Sequence, residues 1–536
     1  MCGIAGIYNT SKSIDELYAI GKKMVKQLHH RGPDANGIKV CQISTKKNVM
    51  LAHTRLSVID LSDAGSQPMA TNDNSLWIVF NGEIYNYKEL KVTLEKHGVE
   101  FRTDTDTEVI LAAYRVWGLS CFERFIGMWA IALWDEKNDQ LILSRDRLGI
   151  KPLYFYSKNG TWIFGSEPKV IVEQAPECRR LNMQAVSDYF SYRYVLGGDS
   201  FFKGVHSVEA GTHKIICGSE IKTVRYWDLP VETDKADISE KLAGQEIKKI
   251  LESAVNYRMI SDVPVGSFLS GGLDSSILVW EMARQHAQPI KTFTIGFQEE
   301  GYNEFKYADE VSRHCKTDHK EIPLNTEEYL SSLQTMIRIK DAPLSVPNEI
   351  ALHELSKLLK KDITVVLSGE GADELFGGYK DYLDEGITKY SSYNRRDIFT
   401  EMPEYFEPII EDDVFLTDTI NMIPVGSFAA DSGISLNGKE GRNPFLRYEV
   451  VKFALNLPKK YKIRNGVTKY ILKELFKQKY KEELIYKKQG FSGYPEDCYN
   501  IEWWKRDGFK HILGYNIDPI GDDKWKLACG SFLYEN

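Results

Sequence analysis

The second residue has the most evident chemical potential. Cys2 follows the initiator methionine, and its small side chain permits aminopeptidase removal of Met1, which leaves an α-amine beside its own thiol. With a reference pKa of about 8, that amine takes up the thiol proton directly or through water, so the pair forms a nucleophile without a distant base. Two loops suggest a different chemistry. Val263–Ser276 reads as an apolar strand running into Ser270-Gly271-Gly272-Leu273-Asp274-Ser275-Ser276 and a helix start. Backbone N–H groups and serine hydroxyls in such a loop attract phosphoryl anions. Its order is neither GxxxxGK[ST] nor GxGxxG, which argues against an ordinary P-loop ATPase or a dinucleotide enzyme. Ser368-Gly369-Glu370-Gly371-Ala372-Asp373-Glu374 follows another apolar strand. Its small residues admit a ligand where parallel-sheet loops converge, and its carboxylates are the hard oxygen donors that Mg2+ prefers.

These residues need elements to hold them. Strand-like runs at Leu76–Phe80, Gly127–Trp134, Leu141–Ser144 and Thr161–Gly165, with Asn81-Gly82 and Asn159-Gly160 as turn signals, give the first two hundred residues an α+β character rich in antiparallel sheet. Helical spacing recurs at Ile14, Leu17, Gly21, Met24 and Leu28, and again over Glu108–Leu119. The polar stretch Pro230–Ser239 reads as a linker. Beyond it, the runs Val263–Leu269, Lys291–Phe297 and Ile363–Leu367 alternate with helices starting at Asp274 and Asn303, the pattern of βαβ units on a parallel sheet. From about Lys380 the strand signal fades and helical periodicity takes over.

Composition narrows the function classes. The chain has 536 residues, with 68 Lys plus Arg against 76 Asp plus Glu and a net charge of -8. With no basic run, it lacks the footprint of a nucleic-acid or anionic-membrane binder. Its eight cysteines form no CxxC pair, so neither a zinc site nor a disulfide framework is expected. The longest apolar run, Phe125–Trp134, covers about half of the roughly 20 residues a membrane span needs. No signal-peptide pattern opens the chain, and a cytoplasmic location is expected.

Five segments, taken in order, resemble the glutaminase domain of class II glutamine amidotransferases. They are Met-Cys-Gly-Ile-Ala-Gly at the start, His30-Arg31-Gly32-Pro33-Asp34, Ala52-His53-Thr54-Arg55-Leu56-Ser57, Asn81-Gly82-Glu83-Ile84-Tyr85-Asn86 and Thr105-Asp106-Thr107-Glu108. The resemblance implies an N-terminal-nucleophile hydrolase sandwich, αββα, that takes ammonia from glutamine. Attack by Cys2 on the side-chain amide creates an oxyanion, for which the Asn81 amide and the Gly82 N–H are suitable donors. Arg55 suits the α-carboxylate of glutamine, and Asp106 and the Glu83 region suit its α-ammonium. Arg31-Gly32-Pro33-Asp34 is read as loop-shaping.

Ser270–Ser276 resembles the PP-loop of ATP pyrophosphatases. Together with Ser368–Tyr379, which matches SGEGxDExFGGY, it extends the resemblance to glutamine-hydrolysing asparagine synthetases, from Cys2 to about Lys473. By that resemblance residues 1–230 form the glutaminase domain, and residues 231–536 form an α/β parallel-sheet synthetase domain with a helical C-terminal part. ATP contacts map to Phe268, Leu269, Ser270, Gly271, Gly272, Asp274, Ser275, Ile295, Ser368, Gly369 and Lys469. Mg2+ ligands map to Asp274 and Asp373, and Glu370 supports the acyl-adenylate step and accepts a proton from attacking ammonia. The expected reaction is ATP-dependent amidation of a carboxylate, aspartate first. Position 447 carries Arg where the family usually has Asp, and Asp431-Ser432-Gly433 lacks the usual Arg or Lys after Asp. Those departures leave open another acceptor, such as a sugar uronic acid. A noncatalytic glutamine-binding protein is the bland rival, disfavoured by intact Cys2, Ser270–Ser276 and Glu370. The aromatic stretch with Tyr494, Tyr499, Trp503, Trp504 and Trp525 reads as helical packing or a subunit interface, the latter leaving room for a homodimer.

Overall fold

The computed structural model describes residues 1–44, 47–180, 182–192, 194–195, 198–231, 238–297, 304–346, 348–359, 362–383, 413–477 and 479. Residues 232–237, within the expected linker, and the aromatic stretch from Tyr494 to Trp525 lie outside the described residues.

The amino-terminal half holds two six-stranded antiparallel sheets. In one, Gly3–Thr10 lies between Thr161–Gly165 and Lys47–Arg55, so the strand that begins just after Cys2 is central. In the other, Leu76–Ile84 pairs with Gly127–Asp135 along its whole length. Alternating side chains fill the layer between the sheets: Ile4, Tyr8, Val49 and Leu51 meet Val79, Ala130, Trp134 and Leu141. Helices cover the outer faces. Ile14–Leu28 starts with a capping box between Ser13 and Glu16 and buries Leu17, Gly21, Met24 and Leu28 against the first sheet. Asp106–Trp117 is capped by Thr105 and covers the second. The result is the αββα sandwich.

One sequence signal misled. Asn81-Gly82, expected as a turn, lies inside Leu76–Ile84, paired with Ala130 and Trp129. The apolar partners on both sides hold the strand through the dipeptide. Gly82 has φ +149, and a Cβ there would lie 2.0 Å from the Met128 carbonyl oxygen, so its identity serves close strand approach, not chain reversal.

The carboxy-terminal half carries a five-stranded, wholly parallel sheet, in the order Asp318–Leu324, Lys291–Phe297, Val265–Phe268, Val365–Leu367, Glu440–Arg442. Chain order reverses between Val265–Phe268 and Val365–Leu367. The loops leaving those two strands therefore flank the crevice where open α/β sheets bind ligands. Glu440–Arg442 is a strand that fading hydropathy did not announce, because two of its three side chains are charged and pair with each other, Arg442 Nε to Glu440 Oε1 at 2.7 Å. One apolar cluster runs through both halves, from Tyr85 and Phe125 to Ala254 and Leu446. Among the described residues no helix is long and apolar enough to cross a membrane.

Candidate active sites

The first site forms where Cys2 enters the central strand. Its Sγ lies 3.4 Å from the Leu56 N–H, and Arg31 Nε donates to its carbonyl oxygen at 3.1 Å. Burial pushes the thiol up to about 11, and nearby Glu440 and Glu83 add to that rise. Met1 is itself buried, with its amine donating to the Lys439 carbonyl at 3.0 Å, and burial lowers that amine to about 5. While Met1 is attached, Cys2 has an amide in place of the amine that would act as its base. Asn81 is wholly buried, and neither its amide nitrogen nor its oxygen has a hydrogen-bond partner. An unsatisfied amide in a core costs roughly 1–3 kcal/mol, so its retention here fits a group kept for a ligand.

The other expected glutamine contacts differ in readiness. Asp106 is buried, accepts the Ile84 N–H at 2.9 Å, and is raised by burial to about 7. Glu83 is also raised, by burial and by Glu440, while Arg442 at 3.6 Å opposes the rise. Arg55 is turned onto its own loop. Its guanidinium donates to the carbonyls of Ser62 at 2.7 Å, Ile59 at 3.4 Å and Asp60. In this arrangement it shapes residues 59–62.

The Arg31–Asp34 segment does shape a loop: Asp34 accepts the Ser57 N–H at 2.8 Å. Arg31 does more. Besides clamping Cys2, it pairs with Glu167 at 3.1 Å and crosses to Asp431 at 3.0 Å, joining the nucleophile's backbone to the other half. Sequence reasoning missed this network, and also the approach of Arg442 to Glu83, because Arg31 meets Asp431, and Arg442 meets Glu83, only across the fold.

The second site lies at the sheet's switch point. Gly271, at φ +74, is packed so closely on Tyr307 that a Cβ would come within 2.5 Å of it. Ser270 Oγ accepts the Gly272 N–H at 3.3 Å and meets Ser275 Oγ at 3.1 Å, so the loop is cinched by its own hydroxyls. Gly369 abuts Asp274, and Ser368 Oγ donates to Asn443 at 2.8 Å. The two loops thus face each other. Lys469 lies between them, paired with Asp373 at 2.8 Å and with Asp274. Burial opposes its charge, yet the two carboxylates hold its proton well above the usual lysine range. Burial and the neighbours Glu374, Asp373 and Asp274 raise Glu370 to about 8. Burial raises Glu374 to about 7. Phe268 and Ile295 pack on the sheet's apolar face beside Phe293 and Val366, whereas the Leu269 side chain is turned into the core.

No three His, Cys, Asp or Glu side chains converge as a metal cage among the described residues. Mg2+ usually takes only one or two carboxylates and completes its shell with phosphates and water. Asp274 and Asp373, already bridged by one cation, fit that requirement.

Comparison with known proteins follows the same division. Residues 1–227 match the family model for a glutamine amidotransferase domain, and residues 246–402 and 413–508 match that for asparagine synthase. Over 430 residues the chain is 37% identical to a putative glutamine-hydrolysing asparagine synthetase 2 of Methanocaldococcus jannaschii, covering 76% of this chain and 80% of that protein. It is 37% identical over 389 residues to glutamine-hydrolysing asparagine synthetase 1 of Bacillus subtilis, covering 71% of this chain and 59% of that protein. Against glutamine-hydrolysing asparagine synthetase B of Escherichia coli, identity is 29% over 496 residues, covering 89% of this chain and 79% of that protein.

Proposed function

Because the chain belongs to the glutamine-hydrolysing asparagine synthetase family, a family of ligases, we propose that it amidates a carboxylate, with aspartate as the first expectation, using ATP and ammonia released from glutamine. The observation that carries this reading is the coexistence of two chemistries in one chain. A thiol nucleophile shares a site with an orphaned buried amide, and a cinched Ser/Gly loop faces an acidic loop across a parallel-sheet crevice.

In the first site Cys2, freed of Met1, attacks the glutamine amide carbon. The Asn81 amide and Gly82 N–H receive the oxyanion, Glu83 and Asp106 face the α-ammonium, and Arg55 orders the loop or turns to the α-carboxylate. In the second, the acceptor carboxylate attacks the α-phosphorus of ATP, giving an acyl-AMP and pyrophosphate. Ser270, Gly271, Gly272, Ser275, Ser368 and Gly369 cradle the phosphates, Phe268 and Ile295 support the base, and Lys469 neutralises the leaving group. Asp274 and Asp373 would hold Mg2+, which supplies charge neutralisation on the departing pyrophosphate. Glu370 takes a proton as ammonia attacks the acyl carbon and AMP leaves. A base with pKa near the working pH suits that task. The domain division at residues 230 and 231, a cytoplasmic location and the small-molecule partners glutamine, ATP and aspartate belong to this reading.

The test is product analysis by mass spectrometry with glutamine, MgATP and aspartate, and an aspartate-free control. Aspartate-dependent asparagine and AMP in equal amounts are expected. Glutamate without asparagine or AMP would rule out aspartate. The altered position Ser432 then favours the second reading, a sugar uronic acid or related carboxylate, to be supplied in the same assay.

A further inference from the structure

Among the described residues, unpartnered arginine nitrogens outside both sites gather at one cavity. Between the two halves lies a cavity of about 190 Å³, walled by Arg147, Arg258 and Arg447 with Trp227, Leu446 and Tyr448. Glu123, Asp146 and Glu449 also border it. The three arginines are committed differently. Arg447 is neutralised: Nε and Nη2 donate to Glu449 at 2.6 and 2.9 Å, and Nη1 donates to Ser253 at 2.5 Å. Arg147 donates through its terminal nitrogens to the carbonyls of Phe125 and Glu123, at 2.6 and 2.8 Å, and its buried Nε has no partner. Arg258 is 3% exposed and lies over the Tyr85 ring at 4.9 Å, and its Nε and Nη1 are both buried without a partner.

Neither Arg147 nor Arg258 is paired with any of these carboxylates. Glu449 serves Arg447. Asp146 accepts the backbone N–H groups of Trp129, Leu148, Ile150 and Lys151, and the Glu123 residue is exposed. Of the three guanidiniums only Arg447 has a carboxylate partner, the partly exposed Glu449, which leaves Arg258 buried with two unpartnered nitrogens. That is among the costlier arrangements in a folded protein, and a guanidinium does not escape it by losing its proton near neutrality.

We propose that this cavity binds a small anion, through a carboxylate or phosphoryl group held by Arg258 and Arg147. Its volume is below the roughly 300 Å³ at which pockets for larger ligands begin, which excludes a nucleotide. It is also far larger than the roughly 15 Å³ that one water requires. The placement suggests what the anion does. Tyr85, beneath Arg258, follows directly on the strand carrying Asn81 and Gly82. Leu446, on another wall, presses on Gly371 of the acidic loop, where a Cβ would come within 2.3 Å of it. A bound anion therefore touches walls continuous with both active sites and braces the two halves against each other.

The experiment uses the full-length chain without ATP or glutamine. Its melting temperature and calorimetric titration are recorded with inorganic phosphate and with succinate, against chloride at matched ionic strength. A saturable upward shift of a few degrees is expected with at least one of the two anions, and the responding anion identifies the group recognised. Arg258→Gln should weaken that binding at least tenfold, and Arg447→Asp, which makes the wall net negative, should abolish it. If Arg258→Gln fails to fold, Arg147→Gln takes its place beside Arg447→Asp. Absence of any response beyond chloride, or a response unchanged in these variants, as phosphate captured by the Ser270 loop would give, overturns the proposal and leaves water as the content of the cavity.

Discussion

The two halves hold their functional residues in opposite ways. In the amino-terminal half the key groups are held by strands: Cys2 immediately precedes the central strand of one sheet, and Asn81 and Gly82 lie within a paired strand of the other. In the carboxy-terminal half, Ser270–Ser275 and Ser368–Glu374 lie in loops and helix starts beyond the ends of parallel strands. A covalent nucleophile and its oxyanion donors gain from a rigid framework that fixes them before substrate arrives. A nucleotide site must open around a large ligand, so it relies on small residues and on a charge shared between loops, as Lys469 is between Asp274 and Asp373. The electrostatics differ in the same sense. The first site keeps a neutral orphan amide, and the second keeps a surplus of carboxylates around one lysine.

Mutation should separate the halves. The largest effect is expected for Cys2→Ala: glutamine-dependent synthesis falls by more than about 10³-fold, while synthesis from added ammonium persists in a coupled pyrophosphate assay. Unchanged glutamine-driven turnover would remove Cys2 as the nucleophile. Glu370→Ala should lower synthesis by about 10²–10⁴-fold with either nitrogen source and leave hydrolysis of glutamine to glutamate measurable; activity with ammonium but not glutamine would contradict its placement. Asn81→Ala should cost about 10²–10³-fold in kcat for glutamine with the ammonium reaction untouched, and equal losses with both sources would make it a folding residue.

The smallest effect concerns stability. The folded protein keeps a proton on Glu370 up to about pH 8, whereas the unfolded chain releases it near the usual value of about 4.5. Between those values the native state binds more protons, so this group's contribution falls as pH rises through that window. Glu370→Gln should accordingly melt higher than the parent at pH 8.5 and show no such gain at pH 4. A gain equal at both pH values would mean that Glu370 carries no raised pKa.

Legibility in the sequence followed the range of the interactions. Ile14–Leu28 and Lys291–Phe297 were readable because apolar period and cap residues act over a few positions. Asn81-Gly82 was misread because the same dipeptide serves a turn or a close strand approach, and only Met128 opposite decides. Glu440–Arg442 was unreadable as a strand because its stability comes from pairing with Val365–Leu367 and not from hydropathy. Arg55 was readable as a candidate, yet its carbonyl partners emerged only with the loop's path.

The reactive groups the chain owns are set by its residues in order: a second-position cysteine, a Ser/Gly anion loop and an acidic loop. Side-chain identity and local spacing are enough to define such chemistry. Tertiary structure alone decided that Asn81 is left without partners, that Arg31 ties Cys2 to Asp431, that Lys469 joins two loops, and that Arg258 is buried with unanswered charge. These are properties of pairs brought together over hundreds of residues, and burial sets their energies by removing the water that would otherwise satisfy each group.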